Sequence, residues 1–324
     1  MSIFASQMKS YLRVGGTHDM KHTISMTSLP FKTYSDFLHQ FFPEKIQKIG
    51  IDAGFSCPNR DGTIGTKGCV FCNNKSFVPD YCQPTQSITT QLTQGINFFR
   101  RKYPKMSYLA YFQAYTGTHA PLNVLASRYE EALSVPGVVG LVIATRPDCL
   151  SDPVLQLLAD FSRQTFVQVE VGVESVHDAT LQRIGRGHTF QCAADAIARL
   201  AEKQIKVGVH MILGLPGESR EDILEQARRI ARLPIDTVKL HQLQVIRHTP
   251  MEAYYAAHPE QFLSLTPESY AELVLDYITL LPENFAFDRF LNQSPPHLLA
   301  REGWGIKNYQ FVDILAKCWQ RRQS

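Results

Sequence analysis

Short apolar runs with the composition of β-strands alternate with segments of helical hydrophobic spacing from about residue 46 onward. Six strands are predicted, at 46–51, 108–113, 138–144, 166–173, 205–213 and 237–245. Helices are predicted at 88–101, 122–133, 193–202 and 266–281, and two more begin at Ser151, whose hydroxyl suits a helix N-cap, and at Ser219. A strand followed by a helix thus repeats about six times, which favours a parallel α/β sheet with right-handed crossover connections.

The predicted strands differ from the continuous apolar runs of a sheet that is covered on both faces. In the fourth strand every second residue from 167 to 173 is valine, so one face is apolar and the other carries polar residues and glycine. The second face would carry Gln168, Glu170, Gly172 and Glu174 in this strand, Gly208, His210, Ile212 and Gly214 in the fifth, and Tyr111, Gln113 and Tyr115 in the second. A solvated strand face alternates in the same way, but it would not recur among strands that helices separate. We therefore expect a cavity inside a barrel, where a filled barrel would have stacked apolar residues.

The composition is that of a folded globular protein. The chain has 324 residues, 44% of them hydrophobic and 19% charged, which excludes a disordered or collagen-like protein. No apolar run approaches the roughly 18 residues of a membrane span, and the first 30 residues lack the apolar stretch of a secretory signal. We expect a cytoplasmic protein with a poorly ordered leader at 1–30 and a single domain at 31–324, with a core at about 46–281 and a C-terminal extension at 282–324.

The net charge bears on the class of partner. A net charge of +3 and a pI near 8.4 permit an RNA partner, although strong nucleic-acid binders have a pI above about 9. No DNA or membrane partner is expected. The densest basic run, Arg100, Arg101, Lys102 and Lys105, is either a solvated helix end or a phosphate contact.

Three of the seven cysteines lie close together in the sequence, within CPNRDGTIGTKGCVFC. Seven cysteines are too few for a disulfide scaffold, so clustered ones are first interpreted as metal or redox ligands. Cys57, Cys69 and Cys72 are the clustered set, and the glycines between them allow the backbone to fold tightly around an inorganic centre. Cys149, Cys192 and Cys318 are isolated and form no second set.

Soft thiolates select zinc or an iron–sulfur cluster. These two centres differ in the number of protein ligands that they need. Structural zinc requires four protein ligands, and Cys82 could be the fourth. A cubane cluster held by three cysteines leaves one iron open, which is useful where a small molecule chelates it. The cysteines follow the first strand of the repeat, at the end of a parallel barrel where active sites lie. We favour the cluster on these grounds.

The whole pattern resembles the radical S-adenosylmethionine (SAM) enzymes, and the resemblance implies a partial (β/α)6 TIM-like barrel with additions at the N- and C-terminal ends. More narrowly, it resembles the YhcC/YtqA group, which is related to the catalytic subunit of the elongator tRNA-modifying complex. The matching segments are GFSCPNRDGTIGTKGCVFCNNKSF, YFQAYTGTHAP, ATRPDCL, VEVGVESVHDATLQRIGRGH, HMILGLPGE and VKLHQLQVIRHTPM. They cover about residues 50 to 251 in order, which makes the set far more specific than the cysteines alone.

The resemblance implies that Cys57, Cys69 and Cys72 hold a [4Fe–4S] cluster and that Phe71 packs near the adenine of SAM. The amino and carboxylate groups of SAM would chelate the fourth iron. One-electron reduction would then cleave SAM to methionine and a 5′-deoxyadenosyl radical, which removes a hydrogen from the substrate. An electron donor such as flavodoxin or ferredoxin is implied as a partner.

The resemblance also implies roles for residues that follow the other strands. Gln113 and Tyr115 would bind the SAM amino group, and Arg146 and Asp148 would contact SAM or substrate. The ribose would be held by Glu170, Glu174 and Ser175, and the adenine approached by the backbone of Gly214, Leu215 and Pro216. Each has a structural alternative: Asp148 could cap a turn, Glu170 could pair with Arg146, and the glycine–proline loop could be a tight strand exit. Likewise, His188 could line a phosphate or substrate site or be a structural histidine.

The resemblance to the elongator subunit suggests tRNA as substrate, with the side chain of the wobble uridine as the modified group. We expect an existing uridine substituent to be trimmed or rearranged, because the chain leaves no room for a downstream acetyltransferase domain. Two alternatives remain at this point: a radical SAM enzyme that acts on a small metabolite or peptide, and a non-catalytic zinc or iron–sulfur interaction module.

Overall fold

A computed structural model of the protein describes residues 29–79, 81–101 and 105–324. Within them, eight parallel strands form one sheet in the order β1-β8-β7-β6-β5-β4-β3-β2. The strands are β1 (Lys32–Thr33), β2 (Ile46–Ile51), β3 (Ser107–Phe112), β4 (Val138–Thr145), β5 (Phe166–Glu174), β6 (Lys206–Leu213), β7 (Thr237–Gln242) and β8 (Ala286–Arg289). The sheet curls into an open half-barrel, so the predicted partial barrel is confirmed, with the six predicted strands as β2 to β7.

The two short strands β1 and β8 were not predicted, and they extend the sheet beyond β7. Ala286 of β8 pairs with Thr237 of β7, and Lys32 of β1 pairs with Ala286 in turn. The four residues of β8 include an aspartate and an arginine, so they lack the apolar signal of a strand. The predicted additions at the two ends of the chain therefore join the barrel wall. The predicted leader lies outside the described residues, apart from its last two positions.

Helices pack around the sheet, and all but α1 lie outside the barrel interior. They are α1 (Tyr34–Leu38), α2 (Ile88–Arg100), α3 (Leu122–Leu133), α4 (Asp152–Ser162), α5 (Asp178–Arg183), α6 (Phe190–Glu202), α7 (Arg220–Ile230), α8 (Pro250–Ala257), α9 (Pro267–Thr279) and α10 (Asn308–Gln323). Ser219 caps α7 through a hydrogen bond from the Asp222 amide. Ser151 occupies the N-cap position of α4, but its hydroxyl makes no capping hydrogen bond, contrary to prediction. In the part of the chain that the structure describes, no helix has the length and apolar character to cross a membrane.

The alternating valines of β5 face the helices, as their spacing predicts. Val167 is 3% exposed, and Val169, Val171 and Val173 are completely buried in the core between sheet and helices. The inward face of the sheet has a smaller apolar cluster at the end where the strands begin. There, Phe37 of α1 packs edge-on against Phe166, the first residue of β5, with ring centroids 6.3 Å apart. Helix α1 thus covers one end of the barrel, and the free interior lies toward the carboxyl ends of the strands.

Candidate active site

A cavity of about 190 Å³ lies inside the half-barrel, toward the carboxyl ends of the strands. Its wall includes the three clustered cysteines together with residues of β3 to β8. Tyr111, Gln113, Glu170, Gly172 and His210 are among the lining residues that the strand alternation placed on the inner face. The predicted cavity is therefore confirmed.

The segment that carries the cysteines is a compact loop directly after β2. The amide of Arg60 donates to the carbonyl of Cys57 at 2.7 Å, and the amide of Cys72 donates to the carbonyl of Cys69 at 3.0 Å. Arg60 then reaches back and donates to the carbonyl of Cys72 at 2.9 Å. Gly68 has a φ of +78°, and a Cβ there would lie 2.8 Å from the Arg60 guanidinium. The positive φ favours glycine at that position, and the missing side chain leaves room for the Arg60 guanidinium.

Two nitrogen donors point at the sulfur of Cys69. The Asn59 amide lies 3.2 Å from this sulfur and the Arg186 guanidinium lies 3.5 Å from it. Burial raises the pKa of the Cys72 thiol to about 11, and Cys69 and Cys57 add to the rise while Arg60 opposes it. Cys72 is thus within electrostatic reach of the other two thiols. Soft thiols in one cavity wall, with cationic and amide donors to a sulfur, fit an iron–sulfur cluster held by three cysteines.

Cys82 occupies a different place. Its thiol donates to the carbonyl of Gly50 in β2 at 3.0 Å, and it does not line the cavity. Among residues 29–79, 81–101 and 105–324, no group of three or more His, Cys, Asp or Glu side chains is already placed to hold a single metal ion, and since this holds for the three clustered cysteines as well, it does not separate a cluster from zinc. The zinc alternative needed Cys82 within reach of the other three cysteines, and this contact with β2 gives it no support.

Several of the residues predicted to bind SAM line the cavity near the cysteines: Phe71, Gln113, Tyr115, Arg146 and Glu174. Tyr115 has a left-handed backbone with a φ of 55° and is 41% exposed. Arg146 is 2% exposed and binds the Asp148 carboxylate through two hydrogen bonds of 2.9 and 2.7 Å. Its remaining nitrogen, Nη1, is buried without a partner. Asp148 therefore orients Arg146, and the predicted alternative of an Arg146–Glu170 pair is wrong.

Other predicted residues lie behind the cavity wall. Ser175 donates from its hydroxyl to Glu218 at 2.6 Å, and Gly214, Leu215 and Pro216 follow β6 outside the cavity lining. The Pro216 carbonyl accepts a hydrogen bond from the Arg183 guanidinium.

His188 does not line the cavity either. Its Nδ1 lies 3.2 Å from the Thr189 carbonyl. Burial, together with Arg186, lowers the pKa of His188 to about 4.

In the predicted basic run, Arg100 ends α2 and Arg101 follows it, and Lys102 lies outside the described residues.

Glu170 is the centre of a buried charge network at the floor of the cavity. One carboxylate oxygen is 2.9 Å from the Lys48 ammonium. The other oxygen accepts hydrogen bonds from Tyr111 at 2.7 Å, His210 at 2.6 Å and Lys239 at 3.0 Å. Burial opposes the charged form, but Lys239, Lys48 and His210 together hold the pKa of Glu170 well below its usual value.

A second carboxylate, Asp288 of β8, completes the network. It lies 2.7 Å from the Lys48 ammonium and 3.3 Å from that of Lys239. Burial lowers the pKa of Lys239 to about 8, against the attraction of Glu170. The buried carboxylates are thus paired, as their desolvation cost requires. The partners were missed in the sequence, although lysines at inward positions of apolar strands are a signal for them.

The cavity also contains polar atoms that have no partner in the protein. Both polar atoms of the Asn74 side chain, the Thr116 hydroxyl, Arg186 Nε and His241 Nδ1 are buried without a hydrogen bond, and all four residues line the cavity. Buried polar atoms are normally hydrogen-bonded, so such a group indicates where a ligand or water supplies the partner. Sequence reasoning missed these four residues.

Comparison with known proteins decides the family. A family profile described as the radical SAM superfamily matches residues 60–230, which include Cys69, Cys72 and most of the cavity strands. The chain belongs to the radical SAM superfamily. A second profile, described as a radical SAM C-terminal domain, matches residues 235–320. The protein is therefore a radical SAM enzyme, and its cofactors are those of the family, a [4Fe–4S] cluster and SAM.

Similar proteins support the narrower resemblance predicted from the sequence. Uncharacterized protein YtqA of Bacillus subtilis is 35% identical over 300 residues, which are 93% of this chain and 92% of that protein. The tRNA uridine(34) acetyltransferase of Dehalococcoides mccartyi is 30% identical over 186 residues, 53% of this chain and 38% of that protein. The structure of Elp3 from Methanocaldococcus infernus has a TM-score of 0.63 at 16% identity, over 86% of this chain and 64% of that one. The last likeness concerns the fold alone.

Proposed function

We propose that this radical SAM enzyme modifies the side chain of the wobble uridine in tRNA. The observation that carries the proposal is the similarity to the tRNA uridine(34) acetyltransferase of Dehalococcoides mccartyi, 30% identical over 186 residues. Its name places the reaction of that protein on uridine 34. The cytoplasm, where tRNA is available, is the location that the proposal implies.

Cys57, Cys69 and Cys72 are the proposed cluster ligands. Their thiols share one cavity wall, and the donors on Cys69 offset the charge of the thiolate. A [4Fe–4S] cluster held by these three residues would supply one-electron reduction of SAM, the radical chemistry of the family. The protein itself has to bind SAM, exclude water and orient the substrate.

We propose that some of the remaining residues touch SAM and that others support the site from outside the cavity lining. Phe71, Gln113, Tyr115, Arg146 and Glu174 line the cavity, so we propose that they touch SAM. Arg146 is suited to an anionic group such as the SAM carboxylate, because Asp148 orients it and one of its nitrogens lacks a partner.

The proposed contacts to the ribose and the adenine also involve residues outside the cavity lining. Glu170 already accepts four hydrogen bonds from the protein, so Glu174 is the carboxylate that we propose for the ribose. Ser175 supports the site from behind the wall, through Glu218. Gly214, Leu215 and Pro216 are proposed to supply backbone contacts to the adenine, in line with the family resemblance.

Two experiments test the proposal at different levels. Anaerobic reconstitution should give about four irons per chain and cleave SAM to 5′-deoxyadenosine when a reduced flavodoxin or ferredoxin, the proposed donors, is supplied. The nucleoside composition of total tRNA should differ between a deletion strain and its parent, and wild-type protein but not Cys72→Ala should restore it. SAM cleavage with an unchanged tRNA profile would contradict the tRNA substrate and favour a small metabolite or peptide.

A further inference from the structure

His241 is a cavity residue to which the family resemblance gives no role. It lies on β7, in the segment VKLHQLQVIRHTPM, and it lines the cavity. Its Nδ1 is buried without a hydrogen-bond partner. A buried imidazole nitrogen without a partner carries a desolvation cost that the folded protein leaves uncompensated. A bound ligand would remove that cost.

The protein holds the His241 ring in place through its neighbour on β6. The rings of His210 and His241 meet edge to face, with centroids 5.6 Å apart. His210 is fixed by its Nε2, which lies 2.6 Å from Glu170. Glu170 is anchored in turn by Lys48 and Lys239. The charge network at the floor thus orients one histidine, and that histidine supports the second.

His241 is uncharged at neutral pH. Burial holds the pKa of His241 well below its usual value, and His210, Lys239 and Arg289 act in the same direction while Asp288 opposes them. A neutral imidazole nitrogen forms a hydrogen bond with a carbonyl or an N–H group, depending on its tautomer. It has no charge to offer to a carboxylate or a phosphate.

The position of β7 in the sheet separates His241 from the proposed cofactor residues. The cysteine loop follows β2, and Gln113, Arg146 and Glu174 follow or end β3, β4 and β5. The proposed adenine contacts Gly214, Leu215 and Pro216 follow β6, the strand next to β7 in the sheet, and β7 itself carries none of the proposed cofactor residues. The part of the cavity next to β7 is therefore available to the substrate.

We propose that His241 binds the substrate base, by a hydrogen bond from its Nδ1 to an uncharged polar edge such as the imide group of uracil. The inference rests on the proposed function, since it takes the wobble uridine as the group that enters the cavity. Enzymes that act on a base hold it out of the stack in a closed pocket and contact its hydrogen-bonding edge. His241 suits such a contact, because its imidazole is uncharged and His210 supports its ring.

Three substitutions of His241 test this hydrogen bond, because they differ in which nitrogen position of the imidazole ring keeps a polar atom. His241→Leu removes both nitrogens, His241→Asn keeps a polar atom near the Nδ1 position, and His241→Gln places one near Nε2 instead. We expect His241→Leu to lower kcat/KM for tRNA at least roughly tenfold, as loss of one hydrogen bond to a buried edge would. Asn should restore most of that loss and Gln should not. The rate of 5′-deoxyadenosine formation without tRNA should stay within about twofold of wild type in all three.

Thermal stability separates binding from a structural role. Because Nδ1 has no protein partner, His241→Leu should melt at the same temperature as wild type or higher. Tyr277→Phe is the matched control: the Tyr277 hydroxyl is also buried without a partner, but it lies in α9 away from the cavity. It should stabilise the protein in the same way and leave tRNA modification unchanged.

The outcomes distinguish this inference from the proposed function. If wild-type enzyme leaves tRNA unchanged, the proposed function fails and the contact with it. If wild type modifies tRNA and His241→Leu does so with unchanged kcat/KM, the contact alone is wrong. Loss of SAM cleavage in step with tRNA modification, or a melting temperature that falls equally in His241→Leu and His241→Asn, would also overturn it.

Discussion

Lys48 of β2 and Asp288 of β8 form an ion pair across the interior of the barrel, with Nζ and Oδ2 2.7 Å apart. The two strands share no backbone hydrogen bonds, since β2 is one edge of the sheet and β8 lies next to the other edge. Both side chains are nearly buried, at 12% and 10% exposure. The pair therefore connects the two ends of an open sheet below the cavity.

Removing the Asp288 carboxylate should destabilise the fold strongly. Asp288→Ala leaves Lys48 and Lys239 with only Glu170 as a carboxylate partner, and breaking a buried pair in this way costs about 3–5 kcal/mol. The free energy of unfolding, measured by chemical denaturation, checks this. Glu221→Ala is the control, because its pair with Arg228 is exposed and such pairs contribute less than about 1 kcal/mol. Equal effects of the two substitutions would contradict the structural role of the network.

Replacing each cysteine with alanine should distinguish the three proposed cluster ligands from Cys82. Cys57→Ala, Cys69→Ala and Cys72→Ala each remove a proposed ligand, so iron content and SAM cleavage should be lost. Cys82→Ala removes the hydrogen bond to the Gly50 carbonyl and the contact with Tyr81, neither of which involves a proposed ligand, so both should be retained. Iron analysis and 5′-deoxyadenosine formation after anaerobic reconstitution check the prediction. A Cys82→Ala protein without a cluster would restore Cys82 as a ligand.

Glu218 should make stability depend on pH. Burial raises its pKa from 4.5 to about 6, although Ser175 and His177 oppose the rise. The folded state thus holds the proton more tightly than the unfolded state, and stability falls as the pH rises from about 4.5 through about 6. Glu218→Gln cannot lose this proton, so its fall in unfolding free energy across that range should be smaller by about 2 kcal/mol. Parallel pH profiles of variant and wild type would show that the carboxyl is not perturbed.

Gly95 allows α2 to pack closely on β2, the strand that leads into the cysteine loop. A Cβ at this position would lie 2.4 Å from the Ile49 side chain and 3.0 Å from the Tyr81 hydroxyl. Gly95→Ala should therefore lower the free energy of unfolding, because overpacking costs about 1–3 kcal/mol and exceeds the roughly 1 kcal/mol gained in helix propensity. Gln94→Ala, exposed on the same helix, is the control and should change stability by less than about 0.5 kcal/mol. A Gly95→Ala protein as stable as wild type would mean that α2 can shift.

Local patterns were enough to predict most of the fold. The six strands β2 to β7 lie within a few residues of their predicted bounds, because alternation and apolar runs are properties of neighbouring positions. The last of them, β7, ends at Gln242, three residues before its predicted end. The strands β1 and β8 were missed for the same reason, since two and four residues without an apolar pattern carry no local signal.

The sequence by itself determined the family, the inward polar face of the strands and the set of three clustered cysteines. All three follow from spacing along the chain, which fixes what shares a strand face or a loop. The tertiary structure decided which distant groups meet: that Lys48 and Asp288, 240 positions apart, neutralise the floor with Glu170, that Cys82 bonds to β2, and that the Nδ1 of His241 is left without a hydrogen-bond partner. These pairings depend on the curl and register of the whole sheet, and in a low-dielectric interior they set which groups are charged and which remain free to bind.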